Sequence, residues 1–198
     1  EFSETAAKRG IQPIIGCQVD LGYTKPDPGK RPEDPAPIVL LAQSEAGYMN
    51  LMKLNSCLYL NQGGQLPQVT LDDLGTYSAG LICLSGGPDG PIGRLLCQGQ
   101  RSKAEVLMDS LAAAFPNRLY VEMQRHPEGG GLPEAEKLSE RGFIEMAYAK
   151  GLPLVATNDV YFPKTSLYEA HDALICISEG AYVCLLYTSD AADDPASV

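Results

Sequence analysis

Side chains that could bind metal ions or transfer protons are sparse in this chain. Asp159 closely follows one short apolar segment, and His126 follows another, Leu119–Met123. Because both would come just after a strand, either could ligate a metal ion or act as a general acid or base. The simpler interpretations are a turn cap for Asp159 and a loop residue hydrogen-bonded to backbone for His126.

Two other patterns resemble functional motifs only in part. The glycine-rich segment Ser85–Gly93 could be compared with a phosphate-binding loop, but the Gly-Lys-Ser/Thr ending of such loops is absent. His171 lies inside an apolar helical pattern, where a packing role is more common. The six cysteines include no C-x-x-C pair and no cysteine–histidine cluster with zinc-ligand spacing. They are therefore predicted to be reduced thiols, most of them buried.

The elements that must position these residues alternate between strand and helix character, which is typical of an α/β domain with parallel strands covered by helices. Ser44 and Ser102 are predicted to cap the helices that follow them, and five prolines between residues 24 and 37 predict an exposed loop. Five strands with intervening helices favour an incomplete (β/α) barrel over a closed small domain. The predicted strands are Ile11–Val19, Ile38–Ala42, Gly80–Leu84, Leu119–Met123 and Leu154–Ala156.

In such barrels, functional groups collect at the carboxyl ends of the strands. The ends predicted here carry Gln18, Gln43, Ser85–Gly87, Gln124–His126 and Thr157–Asp159. Amides, hydroxyls and glycines dominate this set. A catalytic site built from it would have few groups that titrate near neutral pH.

The composition limits the possible partners. The chain has 198 residues, 44% of them hydrophobic, which is enough for one sizeable core. Acidic residues outnumber basic ones by 25 to 15, so we do not expect the chain to bind DNA without the help of other protein parts. No apolar stretch is long enough for a membrane helix and no leader pattern opens the chain, so we expect a cytoplasmic location and no membrane partner.

Both ends of the sequence are unusual for a complete domain. The chain opens with Glu1 rather than Met, and residues 2–8 followed by Gly10 resemble the end of a helix, so we expect sequence to be missing before residue 1. Residues 184–198 carry no strand or capped-helix pattern, and their start resembles the translation of a sequencing-library adapter. We therefore expect residues 1–183 to form the domain and residues 184–198 to be a non-native or disordered tail.

Several longer stretches share their order and spacing with one known family. They are GIQPIIGCQV from Gly10, IVLLAQSEAGYMNLMKL from Ile38, GLICLSGG from Gly80, RLYVEMQRH from Arg118, and GLPLVATNDVYF from Gly151 followed by EAHDALICI. Together they resemble the PHP (polymerase and histidinol phosphatase) domain, in the version found at the front of bacterial DNA polymerase III alpha subunits. The resemblance implies a distorted, TIM-like, seven-stranded barrel, of which this chain would hold a part.

Members of this family that keep their chemistry hold up to three metal ions through His, Asp, Glu and sometimes Cys, a donor set suited to activating water beside a phosphate. By the resemblance, an H-x-H pair would lie before residue 1, and the remaining ligand positions are Gln18, Pro37, Gly87, Asp159 and Tyr161. Only Asp159 keeps a ligand side chain, because an amide, a proline, a glycine and a neutral phenol bind divalent cations poorly. We therefore expect this chain to have no metal site, no cofactor and no catalytic residue.

The resemblance also implies a parent protein. That parent would be a DNA-directed DNA polymerase of chromosomal replication, with a Mg²⁺-dependent polymerase site outside this chain and DNA contacts made by its other parts. The PHP part itself would be a scaffold and a docking site for the separate proofreading exonuclease subunit. The alternative is a metal-dependent PHP phosphoesterase or 3′–5′ proofreading exonuclease. An unrelated α/β-barrel hydrolase would need another cluster of acids at the strand ends, and the sequence shows none.

Overall fold

A computed structural model describes residues 1–24, 33–60, 66–126, 131–158, 160–180 and 182. The chain divides into two compact units, Glu1–Asn158 and Asp159–Val198. Asp159, most of the proline-rich segment and the tail from residue 183 onward lie outside the described residues. None of the helices in the described part of the chain is both long and apolar enough to cross a membrane.

The first unit alternates strands and helices, as the sequence predicts. The bounds of β4 and β5 agree with the prediction, whereas β1 begins five residues later than predicted. The elements are α1 (Phe2–Lys8), β1 (Gly16–Leu21), β2 (Ala36–Ala42), α2 (Glu45–Leu60), α3 (Leu71–Tyr77), β3 (Leu81–Leu84), α4 (Pro91–Cys97), α5 (Arg101–Ala114), β4 (Leu119–Met123), α6 (Glu134–Lys150) and β5 (Leu154–Ala156).

Local hydrogen bonds explain where several helices begin. Ser44 Oγ accepts the backbone N–H of Gly47 at 3.2 Å, which confirms its predicted capping role. The predicted cap at Ser102 is wrong, because α5 already begins at Arg101. Helix α3 was not predicted, yet it starts at a capping box in which the side chains of Thr70 and Asp73 each accept the other residue's backbone N–H.

The five strands form one sheet in the order β1-β2-β3-β4-β5. The prediction that all of them run parallel is wrong for β2, which is antiparallel to both β1 and β3, whereas β3, β4 and β5 are mutually parallel. The prolines between β1 and β2 disfavour the crossover helix that a parallel connection would need. This mixed α/β sheet is consistent with part of a distorted PHP-type barrel.

The reversed strand changes which residues meet at one edge of the sheet. Because β2 is antiparallel to its neighbours, its first residues lie beside the last residues of β1 and β3. Pro37 therefore lies at the edge where the other strands end, and Gln43, predicted to be there, lies at the opposite edge. We call the shared edge, with the carboxyl ends of β1, β3, β4 and β5 and the start of β2, the site edge.

The two faces of the sheet differ in burial because successive strand residues point to opposite sides. One face packs against the helices and forms the core together with Leu51, Leu54 and Phe143. On the other face, which we call the open face, the alternate residues of β1, β2 and β3 are partly or fully exposed. The strand residues of the core face are Val19, Leu21, Ile38, Leu40, Leu81, Cys83, Leu119 and Val121, none more than 2% exposed.

The second unit contains a 3₁₀ turn, Thr165–Leu167, and helix α7, Tyr168–Glu179, which ends at Gly180 in the left-handed conformation. Its aromatic side chains contact one another. The His171 ring lies 5.2 Å from the ring centroid of Tyr161 and 5.4 Å from that of Phe162. These contacts agree with the packing role that the sequence favours for His171.

Candidate functional site at the carboxyl edge of the sheet

Three of the five family ligand positions lie in the first unit, and the fold brings them to one region of the open face. Gln18 is exposed in β1 opposite Val39, and Pro37 stands opposite Asp20 at the start of β2. Gly87 follows β3 and is buried. Tyr161 belongs to the second unit, and Asp159 lies outside the described residues.

The turn after β3 has backbone geometry that side chains do not fit. Gly86 has a φ of 87°, and a Cβ on it would lie 2.0 Å from the carbonyl oxygen of Pro37. Gly87 has a φ of 59°, and a Cβ there would lie 2.8 Å from Cδ of Gln124. A cysteine at position 87 would therefore require a strained backbone and a displaced Gln124 side chain.

The three family ligand positions in the first unit supply no metal donors. Divalent cations need several convergent carboxylate, imidazole or thiolate donors, and Gln18, Pro37 and Gly87 supply none. Within the parts of the chain that the structure describes, no three His, Cys, Asp or Glu side chains come together in an arrangement that could hold a metal ion.

One buried carboxylate at this edge was missed by the sequence analysis. Glu122, near the end of β4, is 4% exposed. Its Oε2 accepts the Gly86 N–H at 2.9 Å, and its Oε1 accepts the Thr157 hydroxyl at 2.5 Å. The available signal was a single acid within the otherwise apolar strand Leu119–Met123. Its partners are fixed only by the sheet topology, so the sequence alone does not reveal them.

A second buried carboxylate holds the residue that follows β4. Glu136 in α6 is 5% exposed, and its two oxygens accept the backbone N–H of His126 at 3.2 and 3.0 Å. Its Oε1 also lies 2.7 Å from the His126 ring nitrogen Nδ1. The structure thus gives the His126 ring a carboxylate partner, which the sequence did not predict. This pairing ties the loop after β4 to α6.

Two titratable groups near the edge have shifted pKa values. Burial raises the pKa of the Asp20 carboxyl, and the positive charge of Arg94 partly offsets that rise. Burial in the core, together with the negative charge of Glu122, raises the pKa of the Cys83 thiol far above its usual range. Cys83 is therefore a neutral packing residue and not a nucleophile.

Comparison with known proteins shows which family this arrangement belongs to. The family model for the PHP domain matches residues 1–126, which is more than half of the chain. The chain therefore belongs to the PHP domain family.

The relatives compared with this chain are longer proteins that share one name. The chain is 43% identical over 185 residues to the DNA polymerase III subunit alpha of Caulobacter vibrioides, covering 92% of this chain and 16% of that protein. It is 38% identical over 181 residues to the protein of the same name from Rickettsia bellii, covering 91% and 14%. It is 36% identical over 183 residues to the one from Pseudomonas aeruginosa, covering 91% and 15%. The chain thus spans about one sixth to one seventh of the length of these relatives.

Proposed function

We propose that this chain is the PHP part of the alpha subunit of a bacterial replicative DNA polymerase, and that it is a catalytically inactive scaffold. Support for the parent comes from the relatives, which carry the name DNA polymerase III subunit alpha and match more than 90% of this chain. The polymerase site of the parent, with its Mg²⁺, would lie in the portion outside this chain.

The proposal that the chain is catalytically inactive rests on one observation, which is the set of side chains available to bind a metal ion at the site edge. Gln18 and Pro37 face the open side of the sheet without a carboxylate or imidazole, and Gly87 stands against Gln124. The two buried carboxylates nearby, Glu122 and Glu136, already accept hydrogen bonds from the protein. Both carboxylates are at most 5% exposed, so a hydrated cation has little access to either group.

The metal content of the purified chain tests this assignment. We expect well under one equivalent of zinc or manganese per chain after incubation with either ion and desalting, measured by plasma mass spectrometry. We also expect no chelator-sensitive hydrolysis of a phosphomonoester or of a mispaired 3′ end. The matched variant is Asp159→Asn, which removes the one remaining ligand side chain. Stoichiometric metal in the wild type that falls in Asp159→Asn would refute the proposal in favour of a metal-dependent phosphoesterase or proofreading exonuclease.

The positive role we propose is to support the polymerase and to dock the proofreading exonuclease subunit. The net charge of −10 supports a protein partner over direct DNA contact, because the phosphate backbone repels an acidic surface. The well-formed core supports a rigid scaffold. Its location would be the cytoplasm, where the chromosome is replicated.

Binding experiments separate these partners. We expect the exonuclease subunit to bind the immobilised chain with a saturable, 1:1 response in biolayer interferometry at about 150 mM salt. A 20-base-pair duplex should give no response under the same conditions. If the duplex bound the chain and the exonuclease subunit did not, the result would contradict the docking role.

A further inference from the structure

The carboxylate of Glu122 has an unusual environment for a buried acid. Its side chain is 4% exposed, and within the described residues no basic side chain pairs with it. Its two oxygens instead accept hydrogen bonds from one backbone N–H and one hydroxyl, at Gly86 and Thr157. Burying a charge is costly, so a fold that places one here uses it for something that an apolar side chain cannot do.

The positions of its partners indicate what that use is. The paired residues of β3 and β4 end at Leu84 and Tyr120, and those of β4 and β5 end at Met123 and Ala156. Gly86 and Thr157 lie just beyond these last pairs, one on each side of β4. The carboxylate therefore adds side-chain hydrogen bonds to both neighbouring strands at the place where the strand pairs end.

Backbone and hydroxyl bonds around Glu122 complete the arrangement. The N–H of Glu122 donates to Ser85 Oγ at 2.9 Å, and the N–H of Thr157 donates to the Met123 carbonyl at 3.0 Å. Gly86 in turn abuts the Pro37 carbonyl, so the turn held by Glu122 also contacts the start of β2. The ends of three strands and the beginning of a fourth meet around one side chain.

We propose that Glu122 is a positioning residue, an internal latch whose carboxylate fixes the ends of β3 and β5 to β4. In a chain without bound metal, as the proposed scaffold function on which this proposal rests requires, these hydrogen bonds would hold the edge together. Charge-assisted hydrogen bonds of this kind are roughly twice as strong as neutral ones, which suits a latch made of only two bonds.

Hydrogen–deuterium exchange of the full chain tests the latch. In Glu122→Ala, we expect exchange in residues 85–90 and 155–158 to accelerate by about tenfold or more, with α5 and α6 unchanged, because only the strand ends are released. In Glu122→Gln, the amide can still accept from Gly86 and donate to the Thr157 hydroxyl, so the acceleration should be about threefold or less. Glu134→Ala, which removes an exposed acid of α6, is the matched control and should change neither segment.

A second variant keeps the test decisive if Glu122→Ala does not fold. Thr157→Val preserves side-chain shape and removes only one of the two bonds, so exchange should rise in residues 155–158 and stay unchanged at residue 86. Unchanged exchange at the strand ends in Glu122→Ala or Thr157→Val would overturn the latch, and so would a uniform rise across the sheet. Metal found in the wild type would overturn the scaffold proposal instead, without altering these exchange results.

Discussion

The two faces of the sheet are made by alternate residues of the same strands, but they differ in how deeply their side chains are buried. On the core face of β2, Ile38 and Leu40 are fully buried against helices. On the open face of the same strand, Pro37, Val39 and Leu41 are only partly buried. The three ligand positions of the first unit that the resemblance implies, Gln18, Pro37 and Gly87, lie on the open face and its edge. The comparison shows that full burial, and with it most of the packing that holds the fold, is concentrated on one face, so the loss of metal donors that we propose concerns the other face.

The largest expected effect is a difference in the free energy of unfolding between alanine variants of two neighbouring leucines, Leu40 and Leu41. Leu40→Ala empties a fully buried core position and should lower the free energy of unfolding by about 2–5 kcal/mol. Leu41→Ala makes the same chemical change on the open face, where the side chain is partly exposed, and should cost only about 1 kcal/mol. Urea denaturation of the two variants, analysed with a common slope, measures both values. Equal losses would show that the open face is as tightly packed as the core.

A smaller effect concerns a hydroxyl introduced on each face. Val19→Thr places an unpartnered hydroxyl at a position that is 2% exposed and should cost about 1–3 kcal/mol. Val39→Thr introduces the same group opposite Gln18, where water can reach it, and should cost less than about 0.5 kcal/mol because threonine also suits a strand. Thermal unfolding of the pair provides the measurement. A larger loss for Val39→Thr would mean that something in the chain covers the open face.

Much of this architecture follows from local sequence patterns. Short apolar segments predict β2, β4 and β5, and the serine before α2 predicts the start of that helix, because both signals act within a few residues. The Thr70–Asp73 box was equally local, but it stands outside any long apolar run and was missed. The predicted cap at Ser102 failed one residue after the true start at Arg101, whose side chain pairs with Glu105 and Glu145.

The features that the sequence did not reveal are the non-local ones. Strand direction depends on which strands become neighbours, so the antiparallel β2 was not foreseen, and with it the placement of Pro37 rather than Gln43 at the site edge. Glu122 and Glu136 were missed for the same reason. Whether a carboxylate is buried, and which donors it meets, depends on residues that are distant in sequence, such as Gly86 at 36 positions from Glu122.

The smallest expected effect is electrostatic and lies on the open face at Asp20. Burial raises the pKa of this carboxyl in the folded state, with Arg94 acting in the opposite direction, so folding favours the protonated form. The stabilisation that results from this raised pKa is fully present below the unfolded pKa of about 3.9. It is lost as the pH rises through the folded-state pKa of Asp20. Because Asp20 is only partly buried, solvent screening keeps the effect small, and Asp20→Asn should stabilise the chain by only about 0.3 kcal/mol at pH 7. Urea denaturation at pH 3, 5 and 7 should show the gain disappearing toward pH 3, with Asp89→Asn in an exposed turn as the control. A loss of stability in Asp20→Asn at pH 7 would mean that attraction to Arg94 outweighs burial, and that the open face still favours a negative charge at this position.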